Sequence, residues 1–158
     1  MNIHVDLTNN EIDVNDIVNK CKDPRGGALN VFLGLTRNFY EDESGKKDVV
    51  TLSYEADEEL SLMEMNDICQ EAIEKFGCLK IIIVHRLGEV GVEGISIAVG
   101  VITEHRDKSF EATQWVMRVF KARVPIFKKE IYGDNSSVWK VNKENFEDNT
   151  IPEKINFS

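Results

Sequence analysis

Two apolar runs, LKIIIVHRLGEV (79–90) and ISIAVGVIT (95–103), restrict the possible folds more than any other feature of the chain. Each has the length and β-branched content of a buried strand, and a turn with glycines at 91 and 94 separates them. The most economical arrangement is an antiparallel hairpin. In the second run Ile95, Ile97, Val99 and Val101 line one face, while Ser96, Ala98 and Gly100 leave the other open to close packing.

The elements around it follow from periodicity and punctuation. DVNDIVNKC (13–21) makes a short helix with Asp13 as N-cap, and Gly26-Gly27 then breaks the chain before the strand ALNVFLGLTR. NFYEDESGKKD (38–48) is polar, contains Gly45 and reads as a mobile loop. VVTLSYE (49–55) is a strand with Val50, Leu52 and Tyr54 on one face. The clearest helix spans 58–76, with Leu62, Met65, Cys69, Ala72, Ile73 and Phe76 at helical spacing and Gly77 placed to end it.

A second long helix runs from Asp107 to about Arg123, with Phe110, Thr113, Met117, Phe120 and Val124 in one stripe and Ala112, Trp115 and Val119 in the next. Pro125 sets its end, and IFKKEIYG and VWKV follow as strands. The order β-β-α-β-β-α-β-β implies an α+β fold, with helices packed on a largely antiparallel sheet. A single domain over 1–142 and a polar tail over 143–158 complete this reading.

No apolar run approaches the roughly 20 residues of a membrane helix, and the acidic N-terminus does not resemble a secretory signal. Cys21, Cys69 and Cys78 are odd in number and form no CxxC pair, which points to reduced thiols in a cytoplasmic protein. A net charge of −9 argues against nucleic acid as a partner. Residues 105–129 nevertheless hold seven Lys or Arg against two acids, a balance of +5, and leave −14 for the remainder. Two readings stand: an anion site in an otherwise repelling surface, or a solvated helix face.

Three places carry candidate chemistry. Arg37-Asn38 closes a strand; Thr103-Glu104-His105-Arg106 joins a strand to the N-terminus of the second long helix, where unpaired amides favour an anion; Lys121, Arg123, Lys128 and Lys129 surround its far end. Lys121 shares a helix face with Met117, which suits proton transfer or nucleophilic work, although a lysine there can also snorkel to solvent. Lys128 can equally be the outward residue of a strand, and His85-Arg86 reads as structural. No metal-ligand spacing, phosphate loop or Ser-His-Asp constellation is present in the sequence, and Cys78 has no evident activating partner.

GALNVFLGLTRN (27–38), VHRLGEV (84–90), GVITEHRDKSFEATQWVMRVFKARVPIFKKE (100–130) and VWKVN (138–142) resemble the large, catalytic subunits of molybdopterin synthases, most specifically between His105 and Glu130. The resemblance implies an α/β hammerhead fold and a homodimer within a heterotetramer. It implies a ubiquitin-like sulfur-carrier subunit whose C-terminal Gly-Gly thiocarboxylate donates sulfur to cyclic pyranopterin monophosphate, with no cofactor, metal or membrane. By motif position it makes Lys121 and Lys128 catalytic. It puts Arg37, His105, Arg106, Lys129 and Glu130 at the substrate, and Phe32, Met117 and Arg123 along the incoming tail. Leu35 stands where the family often has a basic residue, and the 38–48 segment is unusually acidic. The charge pattern alone also permits a non-catalytic module that senses a phosphorylated metabolite or docks a ubiquitin-like partner.

Overall fold

In the computed structural model, which describes residues 2–140, the elements run β1(Ile3–Thr8), α1(Val14–Cys21), β2(Ala28–Leu35), β3(Phe39–Asp42), β4(Gly45–Ala56), α2(Glu58–Phe76), β5(Lys80–Arg86), β6(Gly88–Gly91), β7(Ile95–Thr103), α3(Arg106–Arg123), β8(Ile126–Tyr132) and β9(Ser137–Lys140). The class is α+β. The tail 143–158 lies outside the described residues.

Local signals set the helix ends. The Asp13 carboxylate accepts from the Asn15 and Asp16 amides at 2.9 and 3.3 Å, and Asp57 accepts from the Leu60 amide. Gly77, at φ 69°, ends α2 in the left-handed region that a side chain would disfavour. Val124 is extended ahead of Pro125 and ends α3.

The first sheet has the order β1-β5-β7-β2, antiparallel on both sides of β7 and parallel between β1 and β5. Ile97, Val99 and Val101 of β7 pack with Met65, Ile68, Ala72, Val116 and Val119 of α2 and α3. The opposite face carries α1. A Cβ on Gly100 would lie 2.4 Å from Cys21 Sγ and 3.3 Å from Ile17 Cγ2, so α1 rests directly on the backbone of β7. The second sheet has the order β3-β4-β8-β9, with β6 also paired to β4. Its small core is Val49, Leu52 and Tyr132, with Tyr40 and Tyr54 against it.

Several expectations need correction. The segment 38–48 is not a mobile loop: β3 and the start of β4 form a hairpin whose two-residue turn is closed by Asp42 accepting from the Ser44 amide at 2.8 Å. Its polarity hid it, because it buries little; instead Lys46 Nζ lies 4.6 Å from the Phe39 ring centroid. Val49, and not Val50, faces the core. Val49 pairs with Tyr132 and Thr51 with Ile131, so Val50 is the extra residue of a bulge and is 53% exposed.

The β5–β7 pair is antiparallel but is not a simple hairpin, since β6 leaves between them to join β4. β1, absent from the expected order, lies parallel to β5 and packs Ile3, Val5 and Leu7 on the main core. On α3 the buried stripe is Ser109, Ala112, Thr113, Val116, Val119 and Phe120, leaving Phe110 61% exposed.

The close seat of α1 gives a direct test. Gly100→Ala is expected to destabilise the protein by about 1–3 kcal/mol through overpacking. Gly91→Ala, with open space around the added carbon, is expected to stay within about 0.5 kcal/mol of wild type. Urea denaturation midpoints measure both.

Candidate functional site

The site is built where α3 crosses β2. Asn30 Nδ2 donates to Thr113 Oγ1 at 3.1 Å, which fixes one strand face against one helix face. Two residues along the strand advance roughly 6.6 Å and four along the helix roughly 6 Å, so the two rows stay in step. Phe32, 39% exposed, therefore comes level with half-buried Met117, and Gly34 with half-buried Lys121. The result is an apolar track that leads to a lysine.

The second sheet carries Lys128 on β8, which two residues separate from the end of α3. Lys128 pairs in register with Tyr54, and Glu130 with Leu52, so both share the inner face of β8 with Tyr132. Glu130 is 4% exposed, and its Oε2 has no hydrogen-bond partner among the described residues. Lys129 faces the other way, its Nζ 5.3 Å from the Trp139 ring centroid. Adjacent in sequence, Lys128 and Lys129 thus serve opposite faces.

Between the two sheets stands His85, 5% exposed. Its ring stacks on Phe120 with centroids 5.7 Å apart and planes 4° from parallel, and meets the edge of Tyr54 at 4.9 Å. Its Nδ1 is 2.8 Å from the Arg86 carbonyl, so Nδ1–H donates there when the imidazole is neutral. Burial lowers the imidazole to about 4 and keeps it neutral near pH 7. The Ser96 hydroxyl lies 3.2 Å from the Gly34 carbonyl and donates to it.

Arg37 leaves from a fixed point. Buried Thr36 donates its amide to Gly94 and its hydroxyl to Val90, and accepts from the Glu93 amide. The exposed Arg37 guanidinium lies 5.2 Å from the Phe39 ring centroid. His105 and Arg106 are exposed at the N-terminus of α3, where the His105 side chain makes no capping bond. These two sets are far apart. Ala28 pairs with Thr103 and Leu35 with Ile95, so Arg37 and His105 sit at opposite ends of a strand pair roughly 25 Å long. Along α3, Arg106 and Lys121 are separated by roughly 22 Å.

Arg123 donates its guanidinium to Glu64 at 2.8 Å and Glu71 at 2.7 Å and clamps α3 onto α2. Sequence reading missed Tyr54, Ser96 and the Glu64–Glu71 pair, because each meets its partner across 31 or more residues and leaves no local spacing. The three thiols are buried and free, and burial pushes Cys69 up to about 12 and Cys21 and Cys78 to about 11, so all stay protonated. Among the described residues no cluster of His, Cys, Asp and Glu is placed for a metal ion, and no helix is long and apolar enough to cross a membrane.

The chain matches the family described as "MoaE protein" over residues 7–123. It is 44% identical to a molybdopterin synthase catalytic subunit of Drosophila sechellia over 143 residues, covering 89% of this chain but 38% of that relative. To the bovine protein of the same name it is 39% identical, over 90% of this chain and 73% of the relative. Among solved structures it is similar to the molybdopterin synthase of Staphylococcus aureus, with a TM-score of 0.78 at 27% identity, covering 86% of this chain and 96% of that one.

Two outcomes test the geometry. Unfolded His85 titrates near 6.5 and folded His85 near 4, so the unfolded chain binds the extra proton between these values. His85 should therefore cost no stability above about pH 6.5 and up to about 3 kcal/mol as pH falls to 4. The difference in urea stability between wild type and His85→Phe, followed over that range, isolates it. Arg123→Met should lower stability by about 1–2 kcal/mol without weakening capture of a partner, as measured by calorimetry with the purified partner.

Proposed function

The chain belongs to the MoaE protein family, and from that premise we propose that it is the catalytic subunit of a molybdopterin synthase. In this reading it is a sulfurtransferase acting in molybdenum cofactor biosynthesis. What supports the reading is that Lys121 near the end of α3 and Lys128 near the start of β8 flank the two-residue link Val124-Pro125, with Arg37 leaving the same end of the first sheet.

An extended Gly-Gly tail, having no side chains, suits a track lined by Phe32 and Met117. Its terminal thiocarboxylate then reaches Lys121, whose ammonium balances the anion and moves protons as sulfur leaves. The sulfur bonds to a carbon of the cyclic pyranopterin monophosphate as a carbon–oxygen bond at that carbon breaks, its oxygen leaving with a proton from Lys121; water then cleaves the carrier's acyl–sulfur bond, returning a carboxylate and leaving the sulfur on the precursor. A second carrier repeats the transfer. Lys128 and the buried Glu130 face the precursor from β8, and Arg37 takes phosphate oxygens in paired hydrogen bonds. The chain's own thiols, buried and protonated, are unsuited to relaying sulfur, which favours an external carrier.

His105 and Arg106 lie too far from Lys121 to share one substrate with it in a single chain. In a homodimer, the reading that fits has the α3 N-terminus of one copy completing the lysine site of the other. Anions favour that end of a helix, and no side chain caps it here.

The decisive assay mixes the purified chain, thiocarboxylated carrier and cyclic pyranopterin monophosphate and follows molybdopterin as its fluorescent oxidation product. Lys121→Ala is expected to lower turnover by on the order of 10²-fold or more while still binding carrier. Near wild-type turnover would overturn its catalytic role. No product from wild type, despite a stable complex, would favour a docking or sensing module. Co-expressed Lys121→Ala and Arg106→Ala chains should recover about a quarter of wild-type activity, since half of a random mixture is heterodimer with one intact site in two. Recovery no greater than that of either variant alone would place both residues in the same chain's site.

A further inference from the structure

We propose that His85 is a positioning residue: a rigid aromatic spacer that sets Lys121 on α3 at its working distance from Lys128 on β8. This rests on the synthase reading above and assigns a role within that site to a residue that touches neither reactant.

The argument begins with how α3 meets the second sheet. Only Val124 and Pro125 separate α3 from β8, so a small change at that hinge would swing Lys121 relative to Lys128. Arg123, bonded to Glu64 and Glu71, holds the last turn of α3 toward α2, and the Pro125 carbonyl accepts from the Asp57 amide at 3.2 Å and the Ser61 hydroxyl at 3.3 Å, so the hinge is tied to α2, while the packing of α3 against the second sheet is set by side chains. His85 is one of these. One ring face stacks on Phe120, the residue before Lys121, with planes 4° from parallel. The Tyr54 ring meets it at 73°, and Tyr54 pairs in register with Lys128.

Rotation of the spacer is restrained as well. Nδ1 is bonded to the Arg86 carbonyl at 2.8 Å, which ties the ring plane to the β5 backbone. A core position concerned with burial alone would be filled as well by leucine. A planar ring of fixed orientation, gripped by the neighbour of each lysine, holds a distance.

The test is kinetic and uses the full chain with carrier and cyclic pyranopterin monophosphate. His85→Leu keeps apolar bulk but loses the stacked plane. A displacement of about 1 Å in a reacting geometry can cost on the order of 10²-fold, so its kcat should fall at least about tenfold with KM for the precursor within about threefold of wild type. His85→Phe restores the plane and should return kcat to within about threefold of wild type. Phe120→Leu, which removes the stack from the helix side, should reproduce the kcat-selective loss even if His85→Leu does not fold. Circular dichroism at the assay temperature establishes that each variant is folded. Wild-type kcat in folded His85→Leu or Phe120→Leu would overturn the spacer role, as would His85→Phe as slow as His85→Leu, which would point to the ring nitrogens. Absence of product from wild type itself would remove the synthase reading, and this proposal with it.

Discussion

Burial of β7 on both faces is the constraint from which the other placements follow. Its backbone is paired on each edge, to β5 and β2, so every buried peptide group on the shared register has a partner. Its side chains divide by size. Ile97, Val99 and Val101 fill one face and hold two helices at side-chain distance, while Ala98 and Gly100 let α1 rest on the other. Only Glu104 and His105 separate β7 from α3, so α3 has to turn back over the sheet it has just left. That return carries Lys121 to the end of the sheet where β2 finishes and β5 delivers His85. It also leaves His105 and Arg106 at the opposite end, a separation built into the topology.

The linear charge count is a poor guide to the field at the site. The +5 balance of residues 105–129 includes Lys108, paired with Glu111, and Arg123, answered by two glutamates 52 and 59 residues away. Lys129 is turned to Trp139 on the outer face of its sheet. Under the proposed reading, what collects an anion is a smaller group placed by architecture, with Lys128 on the same strand face as a buried carboxylate and Lys121 near the end of α3. In that partly dry setting a few cations act more strongly than a larger number spread over a wet surface.

Features legible in the sequence were those whose cause is local. Asp13, Gly77 and Pro125 mark helix ends because capping, left-handed backbone and a missing amide act within a turn. The alternation of β7 was legible because both of its faces are buried. The β3–β4 hairpin was not, since it buries little and sets cations over its aromatic rings, which leaves no apolar alternation. Val50 misled because one extra residue in a strand reverses every later side chain, and nothing in VVTLSYE announces the bulge. Phe110 misled because helical spacing defines a stripe but not where the sheet beneath it ends. At the site, motif resemblance identified the lysines, whereas the junction of Tyr54, His85 and Phe120 exists only once three distant segments meet.

The two ends of α3 have opposite electrical character, and both suit the proposed chemistry. The N-terminus presents amides that no side chain caps and carries partial positive charge, so it suits the precursor's phosphate, with His105 and Arg106 adding their own donors. The C-terminal turn carries partial negative charge and favours an ammonium, which suits Lys121. A helix of roughly 22 Å between these residues cannot apply both ends to one small molecule. Two copies can where a two-fold axis sets the start of one α3 against the finish of the other, and such an axis does so twice. Under the proposed reading the homodimer is then a requirement of the chemistry: each chain supplies half of two sites, and the length of α3 forbids a complete one alone.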